Sequence, residues 1–148
     1  MIAMVTIADV LPALESLAPL ALAAEWDNVG LLLGDASASV ERVMTCLTVT
    51  PESAAEAIDE RAQLIVSHHP ILFRPTKKLT TNTPEGRMLV NLARAGIAVY
   101  SPHTAYDNCA GGINEQIAHK IKLTDIIPLR LNDGPRQAKI VVFVPDKD

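Results

Sequence analysis

The sequence predicts an α/β fold, built of βαβ units with a mainly parallel sheet flanked by helices and with metal ligands at the C-terminal strand ends. Three observations predict it. Short apolar runs rich in β-branched residues, Val43–Val49, Gln63–Ser67 and Ile97–Ser101, read as strands. Helical patterns alternate with them, and two open on the same pair, Thr50-Pro51 and Thr83-Pro84, an N-cap followed by proline at the first helical position. Within the second run, Leu64-Ile65-Val66 has no polar alternation, which suits a strand covered on both faces.

Taken in order, Thr6 and Asp9 mark a helix start, and Val10, Leu14 and Leu17 then share a face. Pro12 removes a backbone donor, which moves the expected first turn towards Asp9, and the helix should end before Pro19. Leu31-Leu32-Leu33, bracketed by Gly30 and Gly34, reads as a short strand with Trp26 at its entrance. Trp26 is read as a core or lid residue; Asp27 either caps a turn or serves as an acceptor behind a metal site. After Thr50 an alanine-rich helix runs to about Ala62. Residues 70–82 form a polar loop with Arg74 and Lys77, long enough to lie over a site. The next helix turns Met88, Leu89 and Leu92 inward and closes at Gly96, the place of a left-handed cap. A loop, Pro102–Asn108, follows the third strand, and then a helix from about Ile113 to Ile121 with Ile117 between them at spacings of four. Residues 124–130 read as an irregular strand, Asn132-Asp133-Gly134-Pro135 as a turn and Lys139–Val144 as a last strand.

At 148 residues the chain has the length of one domain, 1–148, and can bury roughly 70% of its unfolded surface. Hydrophobic residues at 49% and charged ones at 20% describe a globular protein, and 3% aromatics make its core aliphatic. A net charge of −4 and a pI near 5.5 exclude the broad basic face of a general nucleic-acid binder. Cys46 and Cys109 have neither zinc-knuckle spacing nor a disulfide framework, so reducing cytosol is the default. No apolar run reaches the roughly 18 residues of a membrane span, and Asp9 and Glu15 interrupt any signal-peptide segment. A cytoplasmic protein is expected.

The chemistry concentrates in two segments. His68-His69-Pro70 ends one strand, and His103, with Asp107 four residues on, follows the next. Carboxyl ends of consecutive parallel strands emerge on one edge of a sheet, where ligands gather. Neighbouring residues of a regular strand point to opposite faces, but where the backbone turns two imidazoles can fan out to two ions about 3.5–4 Å apart, with Asp107 completing a shell. Imidazole and carboxylate ligation suits zinc, iron, manganese or nickel. His103 is a candidate catalytic proton shuttle; it can also be a fourth ligand or bond a loop carbonyl. His119 reads as an exposed surface residue, with an i, i+4 metal pair to Glu115 as the alternative. Two ions call for roughly eight ligand positions between protein and water, and three good protein ligands leave that set short.

Together, Glu25-Trp26-Asp27-Asn28-Val29-Gly30-Leu31, Ser67-His68-His69-Pro70 and His103-Thr104-Ala105-Tyr106-Asp107 resemble the family of the yeast Ngg-interacting factor, whose bacterial members are often called GTP cyclohydrolase I type 2 homologues. The likeness runs from about residue 4 to 145. It implies a dinuclear metal site in an α/β fold, with His68 and Asp107 on one ion and His69 on the other, in proteins that assemble as hexameric rings. The family completes its site with a His-x-x-x-Glu pattern near the C-terminus, and nothing after His119 here is a histidine. Many members insert a further domain after a strand like Val141–Pro145. The chain is therefore expected to be the N-terminal portion of a longer member, inactive alone.

Two functions follow. One is a metal-dependent hydrolase of a nucleotide-like or phosphate-bearing small molecule, with Arg74 and Lys77 beside the site to meet an anion. The other is a non-catalytic metal-binding assembly or carrier protein. Only the name of the yeast relative points to a third, transcriptional regulation through protein contacts.

Overall fold

In the computed structural model, which describes residues 4–128, four short strands form one sheet in the order β1-β4-β3-β2: β1 Gly30–Leu33, β2 Val43–Cys46, β3 Leu64–Ser67 and β4 Ala98–Ser101. β2, β3 and β4 run parallel, with Val43 opposite Leu64 and Leu64 opposite Ala98, while β1 pairs antiparallel to β4. The helices are α1 Ile7–Leu17, α2 Pro51–Asp59, α3 Pro84–Arg94, α4 His103–Asn108 and α5 Ile113–Lys120.

The two central strands are covered on both faces. Ile65 and Val99 pack with Ala54 and Ala57 of α2 and Met88 and Leu92 of α3. Leu64, Ala98 and Tyr100 turn the other way, against Ile7, Val40 and the α1 side chains Val10, Leu11 and Leu14. The β2-α2-β3 and β3-α3-β4 units thus share one helix layer, α1 covers the opposite face, and the carboxyl ends of β3 and β4 lie side by side.

Local chemistry sets the boundaries. Thr50 caps α2 in a capping box with Ser53, and Thr83 caps α3 through the Gly86 N–H, each followed by its proline. Gly96 takes the left-handed conformation expected of it, φ +69°. Gly34, φ +109°, lets β1 approach β4 closely: a β-carbon there would sit 2.5 Å from Ala98 Cβ.

Several elements differ from expectation. The first helix begins at Ile7, because Thr6 and Asp9 close a complete capping box, and it carries Pro12 within it. β2 stops at Cys46, opposite the end of β3, and Val49 goes into the core beside α2. Pro102–Asn108 is not a loop, since His103–Asn108 forms a short helix that opens with the Ala105 N–H donating to the Pro102 carbonyl at 2.8 Å. Within α5 only Ala118 is buried; Ile117 and Ile121 face outward. No strand forms over 124–128, and the expected turn at Asn132–Pro135 and strand at Lys139–Val144 lie outside the described residues.

Candidate functional site

Where β3 ends, the backbone turns under the control of two fully buried serines. The Ser101 hydroxyl donates to the His68 carbonyl at 2.6 Å, and the Ser67 hydroxyl donates to the His69 carbonyl at 2.9 Å. The His68 and His69 amides donate back to the Cys46 and Leu47 carbonyls. Fixed in this way, two neighbouring histidines leave the alternation of a strand: their ring centroids are 5.0 Å apart.

β4 supplies the other half. Pro102 stops the strand and α4 begins at once, so His103 and Asp107 stand one helical turn apart. The His103 ring lies 5.3 Å from that of His68 and 5.8 Å from that of His69. One nitrogen from each of the three imidazoles falls within 4.8 Å of the others. Asp107 Oδ1 is 3.6 Å from His68 Nε2.

Behind the cluster stands Asp27, its side chain 0% exposed. It accepts from the Asn28 N–H at 2.8 Å, the Thr104 N–H at 3.1 Å and the Thr104 hydroxyl, and it lies 2.8 Å from His103 Nδ1. Burial pushes its pKa up, but the hydrogen bonds from Thr104, His103 and Asn28 outweigh that and hold the carboxyl below its ordinary range. Asp27 therefore caps its turn and also backs the histidines. The His69 Nδ1 is engaged by the Thr48 hydroxyl at 2.6 Å. Burial holds His68 below the ordinary histidine pKa; Asp107 and Asp27 act against this, and the neighbouring His69 and His103 reinforce it.

An imidazole nitrogen with a free lone pair is a ligand for a borderline divalent ion, and three imidazoles, two of them half-buried and that of His69 exposed, stand here beside a carboxylate. His68 Nδ1 is buried without a hydrogen-bond partner among the described residues. These donors fit a metal.

Trp26 is 66% exposed, so it is not a core residue. It stands edge-on to His103 at 6.4 Å and to Phe73 at 6.1 Å, an aromatic wall beside the cluster. The Asn28 side chain donates to the Leu72 carbonyl at 2.6 Å and ties the Trp26 turn to the 70–82 loop, on which Arg74 and Lys77 are exposed. His119 stands outside the cluster, exposed, with its Nε2 3.4 Å from Glu115 Oε1. Sequence reasoning missed Thr48, Ser67, Ser101 and Thr104. Ser67 and Thr104 carried a signal, their positions next to His68 and His103.

Among the described residues no helix is long and apolar enough to cross a membrane. A family model described as Duf34/NIF3 (NGG1p interacting factor 3) matches residues 5–144. A protein of Listeria innocua named GTP cyclohydrolase 1 type 2 homolog is 38% identical over 135 residues, covering 91% of this chain and 36% of its own length. The NIF3-like protein 1 of Drosophila melanogaster is 34% identical over 124 residues, 83% of this chain and 42% of that protein. The crystal structure of a Bacillus cereus protein related to NIF3 superposes with a TM-score of 0.79 at 33% identity, over 82% of this chain and 34% of that one. The chain thus spans well under half the length of these relatives.

Proposed function

Because the chain belongs to the Duf34/NIF3 family, we propose that its histidine cluster is a metal centre serving hydrolysis of a nucleotide-like or phosphate-bearing small molecule. One observation carries the reading: two strand ends bring His68, His69 and His103 within one ion's reach, with Asp107 beside His68. In the dinuclear form of this reading, His68 and Asp107 hold one ion and His69 the other, and ligands beyond these side chains complete the second shell of donors. A bound divalent ion would supply Lewis acidity towards a carbonyl or phosphoryl oxygen.

The chain's own residues would do the rest. His103, braced through Nδ1, is placed to accept and return a proton at Nε2. Arg74 and Lys77, exposed on the adjoining loop, would meet an anionic group, and Trp26 and Phe73 would shield one side of the site from water. The names of the bacterial relatives favour a nucleotide-like substrate. A ring of identical subunits belongs to the same reading, consistent with the exposed apolar residues Ile117 and Ile121.

The test is turnover of a nucleotide and phosphoester panel by purified protein loaded with iron, zinc or manganese. A defined product lost in His69→Ala supports the reading; no turnover with any metal, in this chain or in one extended to the relatives' length, would end it. The exposure of His69 favours a second reading, a metal carrier, which would show rapid reversible metal exchange with the oligomer retained and no product.

A further inference from the structure

We infer that Asp27 and Thr104 are positioning residues that fix the His103 imidazole with its proton on Nδ1, leaving Nε2 as the nitrogen free to ligate an ion or take a proton. The inference rests on the metal-centre reading for its purpose, but its argument is one of hydrogen-bond direction.

Thr104 Oγ1 accepts from the Ala24 N–H at 3.0 Å, so the hydroxyl's single proton is left to point at Asp27 Oδ2. The Thr104 N–H donates to the same oxygen at 3.1 Å, and the Asn28 N–H donates to Oδ1 at 2.8 Å. A buried carboxylate served by three donors is ionised and can only accept. His103 Nδ1, 2.8 Å from Oδ1 and 3.0 Å from Oδ2, must then be the fourth donor. A neutral imidazole carries one N–H, which places the lone pair on Nε2.

The backbone at His103 is held in an uncommon conformation as well. His103 has φ +30°, in the region that favours glycine, and such a conformation persists where its surroundings over-determine it. The Asp27 bonds supply that restraint, and the rings of Trp26 and Phe73 stand edge-on at 6.4 and 6.2 Å. Asp27 is 76 residues from His103 in sequence, so no local turn requires the contact.

Long-range proton–nitrogen correlation spectra of isotope-labelled histidine, recorded on the whole chain at about pH 8, above the ordinary histidine range, read the tautomer directly. The wild-type protein should show His103 as the Nδ1–H form alone. Asp27→Ala should release it to a mixture of both forms; Thr104→Val should move it the same way and Thr104→Ser should restore it. In parallel, visible absorption on cobalt(II) titration should show binding about 10–100-fold weaker in Asp27→Ala and unchanged in Thr104→Ser. An Nε2–H form in the wild-type protein, or an unaltered Nδ1–H form in Asp27→Ala, would overturn the inference. If circular dichroism shows Asp27→Ala unfolded, the wild-type spectrum and the Thr104 pair decide. Failure of cobalt binding with the tautomer as expected would refute the metal centre and leave the positioning intact; cobalt binding with the opposite tautomer would do the reverse.

Discussion

Replacing Tyr100 by Phe should stabilise the fold. Tyr100 lies on β4, 1% exposed, among Ile7, Leu64 and Ala98, and its hydroxyl has no hydrogen-bond partner among the described residues. A buried hydroxyl without a partner costs about 1–3 kcal/mol relative to water. Its removal loses only the dispersion contacts of one oxygen, each about 0.1–0.2 kcal/mol. The balance is a gain of about 1 kcal/mol, or roughly 2–4 °C in Tm for a chain of this size. The phenol adds a second signature. Burial first, and then the charge of Glu15, push its pKa up to about 12. The folded state keeps a proton that the unfolded chain releases near 10, so stability is lost as pH rises from about 10 through about 12, by an amount on the order of 3 kcal/mol. Tyr100→Phe has no such proton to lose, and its advantage should widen over that window. Urea unfolding at neutral pH and on the alkaline limb measures both. A variant about 1 kcal/mol less stable than wild type at neutral pH, or one with the same alkaline decline, would refute the reasoning.

The Asp27 carboxyl lies below its ordinary range in the folded state, so its contribution is present above the unfolded value of about 4 and is lost as pH falls through the folded pKa. Asp27→Ala should accordingly be less stable at neutral pH and decline less steeply in acid, as read by unfolding across pH. Gly34→Ala places a methyl 2.5 Å from Ala98 Cβ and 2.6 Å from Ala98 Cα at φ +109°, and should cost about 2–5 kcal/mol in urea unfolding. His119→Ala removes only an exposed partner of Glu115, and should change stability by less than about 0.5 kcal/mol and leave metal affinity as it was in calorimetric titration.

The βαβ grammar was legible because it is local: the Thr-Pro starts, the uninterrupted apolar strands and Gly96 act within a few residues of themselves. The position of His68 and His69 was legible too, since Pro70 and the preceding strand mark where the backbone must turn. α4 was not. It spans six residues, too few to show a helical period, and the proline before it reads equally well as the opening of a loop. The network behind the histidines was hidden for another reason. Ser101 reaches His68 across 33 residues and Asp27 reaches His103 across 76, distances that only the strand order brings together. Trp26 shows the same limit: its chemistry is readable, but which side of it meets solvent depends on elements far along the chain.

The central claim is that the edge formed by β3 and β4 holds metal. Elemental analysis of the stripped and reloaded protein, joined to anomalous scattering from its crystals, tests this most directly. His68, His69 and His103 bring one nitrogen each to within 4.8 Å of the others, with Asp107 beside His68, enough donors for one ion and too few for two. About one divalent ion per 148-residue chain is expected at this edge, held by His68 with Asp107 or His69 and lost in His68→Ala. No bound metal, an ion seated elsewhere, or two firmly held ions in this chain alone would contradict it.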